Sequence, residues 1–282
     1  MRKIILITMA AIFAVGVMAQ QKMRVWKNHS LVYEEDVTQI DSITFYDEYE
    51  GALIGEFSVS ATKKVRFSKG NLQYQASTNT WRFAENQWDF VGEPNFNISP
   101  NYDGWIDLFG WGTGNNPTKW ERNDSEYAQF TDWGDNFTPK WRTLSKAEWE
   151  YLLQGRENAA NLYSYAIVEN TKGFIFFPDN YPETVSVQYD WNCSPITNAE
   201  LLIMQNKGAV FLPAAGVRST DVNEVRGYSG DYKAEACGDY WSSSPYNSVN
   251  AWMFVFSINS ILDIRNYPKS DGRAVRLVRE VK

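Results

Sequence analysis

Between Ala251 and Tyr267 the chain reads AWMFVFSINSILDIRNY, and its apolar side chains fall on alternate positions. Trp252, Phe254, Phe256, Ile258, Leu262 and Ile264 share one parity; Met253, Val255, Ser257, Asn259, Ile261, Asp263 and Arg265 share the other. Successive side chains of a strand point to opposite faces, so the stretch predicts two strands with the even side committed to a core. A two-residue turn near Asn259-Ser260 keeps the parity across both strands, as a tight hairpin does. Shorter runs elsewhere predict further strands: MRVW, SLVY and SITF within residues 23–45, FSVSATKKVRFSKGNLQYQ beyond residue 57, the proline-ended GFIFFP and GAVFLP, and VRLVRE at the end. Helical spacing is scarce. WRTLSKAEWEYLLQG carries an S-x-x-E capping box at Ser145 and Glu148, apolar Trp149, Leu152 and Leu153, and a stop at Gly155. TNAELLIMQNKG predicts a second helix. Residues 76–138, rich in Gly, Asn, Pro and Trp, have no lasting period and read as long loop tied down by aromatics. The expected class is α+β.

The first twenty residues change the picture of where the protein works. Arg2 and Lys3 precede an apolar run from Ile4 to about Val17, and Val17-Met18-Ala19 stands at the cleavage positions, the pattern of a secretory signal peptide over residues 1–19. The run is shorter than the ~20 residues of a membrane-crossing helix, so the chain is expected to be exported, to periplasm, cell surface or medium, and not membrane-spanning. The acidic YDEYEGALIG reads as a linker with a boundary near Glu50, so residues 20–50 read as a small β segment with linker and residues 51–282 as the main domain. The whole chain carries a net charge of -7; without Arg2 and Lys3 it holds 25 basic against 34 acidic side chains, or -9. That balance, with no basic run, argues against a nucleic-acid partner.

Candidate chemistry is sparse. His29 is the only histidine, which removes most catalytic triads and histidine metal sites. Cys193 and Cys237 are the only cysteines, and in an exported chain they leave a disulfide open. Glu93-Pro94-Asn95 matches the tripeptide of sugar-binding lectins but lies early and lacks its usual companion motif. Calcium needs six to eight oxygen ligands, to which Asp103, Asp107, Asp132 and Asp135 are the available contributors; no motif gathers them, and no cofactor is expected. Trp105, Trp111, Trp120, Trp133 and Trp141 are expected to hold the loops together. The odd parity of the last hairpin, with Met253, Val255 and Ile261 on the side expected to face solvent, reads as a recognition patch, extended by Ser248, Val249 and Asn250.

Three tracts carry a resemblance. WRTLSKAEWEYLLQG resembles a signature of the formylglycine-generating-enzyme (sulfatase-modifying-factor) superfamily, GRAVRLVR is similar to its closing strand, and GDYWSSSPYNSVNAW resembles a tract of exported bacterial major-paralogous-domain proteins. The last hairpin is similar to the variable tract of proteins diversified by retroelements. The resemblance implies a C-type-lectin-like fold over most of residues 55–282, with its first and last strands paired and a long-loop half. It does not imply the enzyme's oxidation chemistry, because that family's paired cysteines are represented here by Cys237 alone near the closing strand. The expectation is a non-catalytic binding protein whose partner is a protein or glycan outside the cytoplasm, met through Ser248, Val249, Met253, Val255, Ser257, Asn259, Ile261, Asp263 and Arg265. The rivals are a structural subunit of a surface appendage that docks through residues 20–50, and an enzyme of the formylglycine-generating or hydrolase kind.

Overall fold

A computed structural model describes residues 21–27, 29–40, 50–231, 234–257 and 261–281. The expected signal peptide, the SITF run and the expected turn near Asn259-Ser260 lie outside the described residues. The chain divides into two compact units at the Glu50/Gly51 boundary.

In the first unit, β1 (Lys22–Lys27) and β2 (Ser30–Asp36) form an antiparallel hairpin with a register shift between Val25 and Trp26. Lys22 and Arg24 both reach across to Glu34, at 2.7 and 2.6 Å.

The second unit begins with β3 (Phe57–Ser58), β4 (Lys64–Phe67), β5 (Leu72–Gln75), β6 (Thr80–Phe83) and β7 (Trp105–Ile106). Helix α1 (Lys146–Glu150) follows, its first turn closed by the capping box read from the sequence: Ser145 Oγ accepts from the Glu148 amide at 3.3 Å, and Glu148 Oε2 accepts from the Ser145 amide at 2.8 Å. Arg142 donates to both oxygens of the same carboxylate, at 2.7 and 2.8 Å. Residues 151–155 continue α1 as one wider turn that ends at Gly155. Next come β8 (Tyr163–Val168), β9 (Thr171–Phe176), helix α2 (Asn198–Asn206), β10 (Val210–Pro213), β11 (Ala215–Ser219) and β12 (Glu224–Tyr228). The chain closes with β13 (Cys237–Pro245), β14 (Asn250–Ser257), β15 (Ile261–Pro268) and β16 (Val278–Glu280). The GFIFFP and GAVFLP runs are β9 and β10, paired antiparallel and buried through every residue of Phe174–Phe176 and β10. The last strand pairs with an early one, Val278 opposite Phe67.

The α+β class and the C-type-lectin-like fold do not describe this molecule. Among the described residues there are sixteen strands in six small antiparallel sheets, against α-helices of only five and nine residues. The cause is visible in the chain: apolar residues recur at helical spacing for barely two turns, while alternation and short apolar runs recur many times outside the loop-rich residues 76–138. The chain is mostly β, with irregular and 3-10 segments holding its loops.

Two large clusters of buried side chains lie on opposite sides of the β13-β14-β15 sheet. One gathers Phe57, Phe67, Trp149, Phe174, Phe176, Phe254 and Phe256. The other gathers Trp111, Trp133, Trp141, Trp241, Met253, Val255, Val275 and Leu277. Of the loop tryptophans, Trp111, Trp133 and Trp141 are buried, and Trp111 Nε1 donates to the Ser242 carbonyl at 2.9 Å; in return Trp241 of β13 donates through Nε1 to the Phe109 carbonyl at 2.7 Å. Trp105 and Trp120 remain half-buried.

Candidate functional site

The register of the last sheet sorts its side chains into two faces. Tyr240, Phe254 and Ile264 lie opposite one another, as do Gly238, Phe256 and Leu262. This is the face expected to enter the core, and it does: Phe254 and Phe256 are 0% exposed, with Phe254 stacked on Trp149 at 5.0 Å and 21°. Gly238 is required here, because a Cβ at that position would stand 2.0 Å from the Phe256 ring. Trp252 sits toward the edge, half-buried, with Lys146 over its ring.

The other face carries Cys237 opposite Ser257, Asp239 opposite Val255 and Asp263, and Trp241 opposite Met253 and Arg265. It is not the open patch that the alternation suggested. Met253 is 0% exposed and Val255 and Ser257 are each 6% exposed. A sheet with solvent on one side alternates apolar and polar; here the second side is covered as well, by Trp111, Val275 and Leu277, which pack with Trp241, Met253 and Val255. Of the remaining residues expected to bind, Ser248, Val249 and Asp263 are exposed and Arg265 is half-buried, while Asn259 and the Ile261 side chain lie outside what is described.

The cover is incomplete. Toward the Cys237 end of the sheet the same face forms one wall of a pocket of about 330 Å³, lined by Cys237, Asp239, Met253, Val255, Ser257, Arg265 and Tyr267. The facing wall comes from the β11-β12 hairpin, through Val217, Ser219, Arg226 and Gly227, and from Asp271 and Arg273 beyond β15. The alternation thus located four pocket residues (Met253, Val255, Ser257 and Arg265) while misplacing the surface they serve.

At its floor lies a buried charge cluster. Arg273, 2% exposed, bridges Asp239 and Asp271, donating through Nη1 to Asp239 Oδ2 and through Nη2 to Asp271 Oδ2 at 3.0 Å. Asp271 Oδ1 accepts from the Thr220 amide and hydroxyl at 3.0 and 3.2 Å. The guanidinium also lies 4.7 Å from the Tyr267 ring centroid and 5.4 Å from that of Trp241. Within the cluster one guanidinium bridges two carboxylates, with the Arg265 charge also acting on Asp239, and among the described residues Asp239 Oδ1, Ser257 Oγ and Arg273 Nε have no hydrogen-bond partner. Burial pushes the Asp239 carboxyl above the usual carboxylate range, with Arg273 pulling the other way. Burial also pushes the Cys237 thiol well up, which keeps it protonated and a poor nucleophile near neutral pH.

Asp239, Asp271 and Arg273 were not among the expected site residues. A signal existed: Asp239 shares the parity of Cys237 and Trp241, so a charge stands where the strand pattern asks for an inward side chain. Cys193 and Cys237 are both free. Cys237 lines this pocket, and Cys193 lines another, with Tyr165, Phe177 and Met204.

Three of the four loop carboxylates, Asp107, Asp132 and Asp135, have local duties. Asp107 is 0% exposed and accepts from the Val91 amide and Asn95 Nδ2, each at 2.8 Å. Asn95 in turn accepts from the Asp107 and Leu108 amides. The Glu93-Pro94-Asn95 tripeptide is therefore a loop staple. Asp132 caps a 3-10 turn and holds Thr143, and Asp135 pairs with Lys140. Among the described residues no three of His, Cys, Asp or Glu gather as a metal site, and no helix is long and apolar enough to cross a membrane. No family model, curated protein or solved structure matches the chain.

Proposed function

We propose that the protein is a non-catalytic recognition protein, exported from the cytoplasm, that takes a protein ligand at the pocket between the β13-β14-β15 sheet and the β11-β12 hairpin. The observation that carries this reading is a concave site of about 330 Å³ whose walls mix apolar side chains (Met253, Val255, Val217) with charged ones (Arg265, Arg226, Asp239). Such a mixture on packed strands suits binding, because a wall that is already ordered loses little side-chain entropy when a partner arrives. The protonated Cys237 thiol and the structural duties of the loop carboxylates give no support to a nucleophilic or hydrolytic role.

The test uses arrays of surface proteins and glycans probed with the wild type, Arg265→Ala and Tyr267→Ala. Both positions stand at the rim, half-buried and exposed respectively, so the fold should survive both changes. The expected result is a protein ligand whose binding weakens about tenfold or more with either substitution, the size typical of an anchoring residue. Binding to glycans only, or protein binding indifferent to both substitutions, would count against the reading.

A second reading rests on the N-terminal unit. Two strands alone are marginal in water, so β1-β2 is suited to adding to a neighbour's sheet. Deleting residues 20–50 would abolish assembly while leaving the main domain folded if the protein is an appendage subunit.

A further inference from the structure

The floor of the pocket specifies its ligand more narrowly. Asp239, Arg273 and Asp271 are 5%, 2% and 7% exposed and together carry one more negative than positive charge. An unmatched charge in so buried a place is unfavourable unless it takes up a proton or something of opposite sign joins it. On the same sheet face, Ser257 Oγ is a second oxygen without a partner among the described residues. Asp239 and Ser257 are diagonal neighbours, since Asp239 faces Val255 and Ser257 faces Cys237; such neighbours stand roughly 7 to 8 Å apart between Cα atoms. The apolar part of the lining is formed by Val255, Met253 and Val217, with the Tyr267 ring beside Arg273.

We infer that the pocket receives the side chain of a lysine presented by the protein ligand, its ammonium directed to Asp239 Oδ1 and Ser257 Oγ and its four-carbon stem lying along Val255 and Val217. The inference rests on the binding function proposed above. A compact ammonium with three donors matches two free oxygens in a small space, whereas a guanidinium would bring five donors in a rigid fork and leave most of them unmatched. The stem of a lysine is apolar and packs against such walls while the head is held. At the mouth, Arg226 and Arg265 each have a carboxylate two residues away on their own strand, Glu224 at 3.6 Å and Asp263 at 3.4 Å. Asp221 and Glu235 add two more acids to the lining. The chain's net charge of -7 favours the approach of a cationic partner.

The test titrates the full mature chain with the peptide Gly-Gly-Lys-Gly-Gly and with the same peptide carrying an Nζ-acetylated lysine, following the methyl resonances of Val217, Met253 and Val255. The expected result is saturable shifts with the free lysine peptide and binding weakened roughly tenfold or more on acetylation, since a charge-assisted contact is lost. Asp239→Asn should weaken binding similarly. Ser257→Ala, which removes one acceptor and leaves the charge cluster intact, should weaken it by a smaller factor and serves if Asp239→Asn does not fold. Equal binding of both peptides, no saturable shift, or indifference to Ser257→Ala overturns the inference. If the array partner depends on Arg265 and Tyr267 yet binds equally well after its lysines are acetylated, the recognition function stands and the lysine assignment fails. If the lysine peptide binds through Ser257 while no protein ligand depends on the rim, the reverse holds.

Discussion

Replacing Met253 by serine separates a sheet covered on both sides from a hairpin open on one. Met253 is 0% exposed and packs among Trp111, Trp241, Val275 and Leu277. Truncating a buried methionine to a small side chain costs about 2 to 5 kcal/mol, the range reflecting how well the site can collapse. Leaving a hydroxyl in the apolar space adds about 1 to 3 kcal/mol if it finds no partner. A loss of at least about 3 kcal/mol is therefore expected. In a domain of this size each kcal/mol moves Tm by ~2 to 4 °C, so the midpoint should fall by about 6 to 12 °C. Asp263→Ser is the control: it shares the parity but is exposed on β15, and such changes stay within about 0.5 kcal/mol. Urea unfolding followed by tryptophan fluorescence, with an unchanged m-value, measures both. If Met253→Ser costs no more than Asp263→Ser, that face of β14 is open to water and the two-sided packing described here is wrong.

Further expectations concern the helix start, a buried acid and the thiols. Ser145→Ala should cost about 1 kcal/mol in the same urea assay, because it removes the acceptor for the Glu148 amide at the start of α1; no change would mean that the capping box contributes nothing. Burial raises the Asp107 carboxyl to about 6 from an ordinary 3.8, so between these values the folded state holds a proton that the unfolded chain has released. Its contribution to stability is fully present below pH 3.8 and is lost as pH rises through about 6; a carboxyl carbon resonance titrating near 4 would refute this. Burial raises both thiols, so a disulfide-exchange reagent should label the native protein slowly at pH 7 and label both cysteines in denaturant. Failure to label in denaturant would reveal a bridge between Cys193 and Cys237.

How much of this was legible in the sequence depended on how local the cause was. The start of α1 was legible because a capping box involves residues three apart and acts within one turn. The β9 and β10 runs were legible because a short, wholly apolar run ended by proline has few homes other than a buried strand. The even side of β14 was legible too, since alternation records which side chains must leave water. The odd side was misread because alternation identifies two faces without saying how many are covered. Its cover comes from Trp111, more than 130 residues before Met253, and from Val275 and Leu277 beyond the hairpin, and nothing in the local pattern announces that meeting. For the same reason the α+β class was overturned: two short helical segments were clear locally, but six separate small sheets arise from pairings such as Phe67 with Val278, which join opposite ends of the domain. Asp239 and Arg273, 34 residues apart and joined only in the folded chain, form the pocket floor.

The most direct measurement of the central claim maps a bound partner onto the two sides of the last sheet. With the protein ligand selected on the array, methyl spectra of the complex should show the Val217, Met253 and Val255 signals shifted on binding. The signals of Val65, Val210 and Val278, buried in the opposite cluster, should stay in place. A partner that binds tightly while the Val217, Met253 and Val255 methyls remain unmoved would place recognition elsewhere on the molecule and contradict the account.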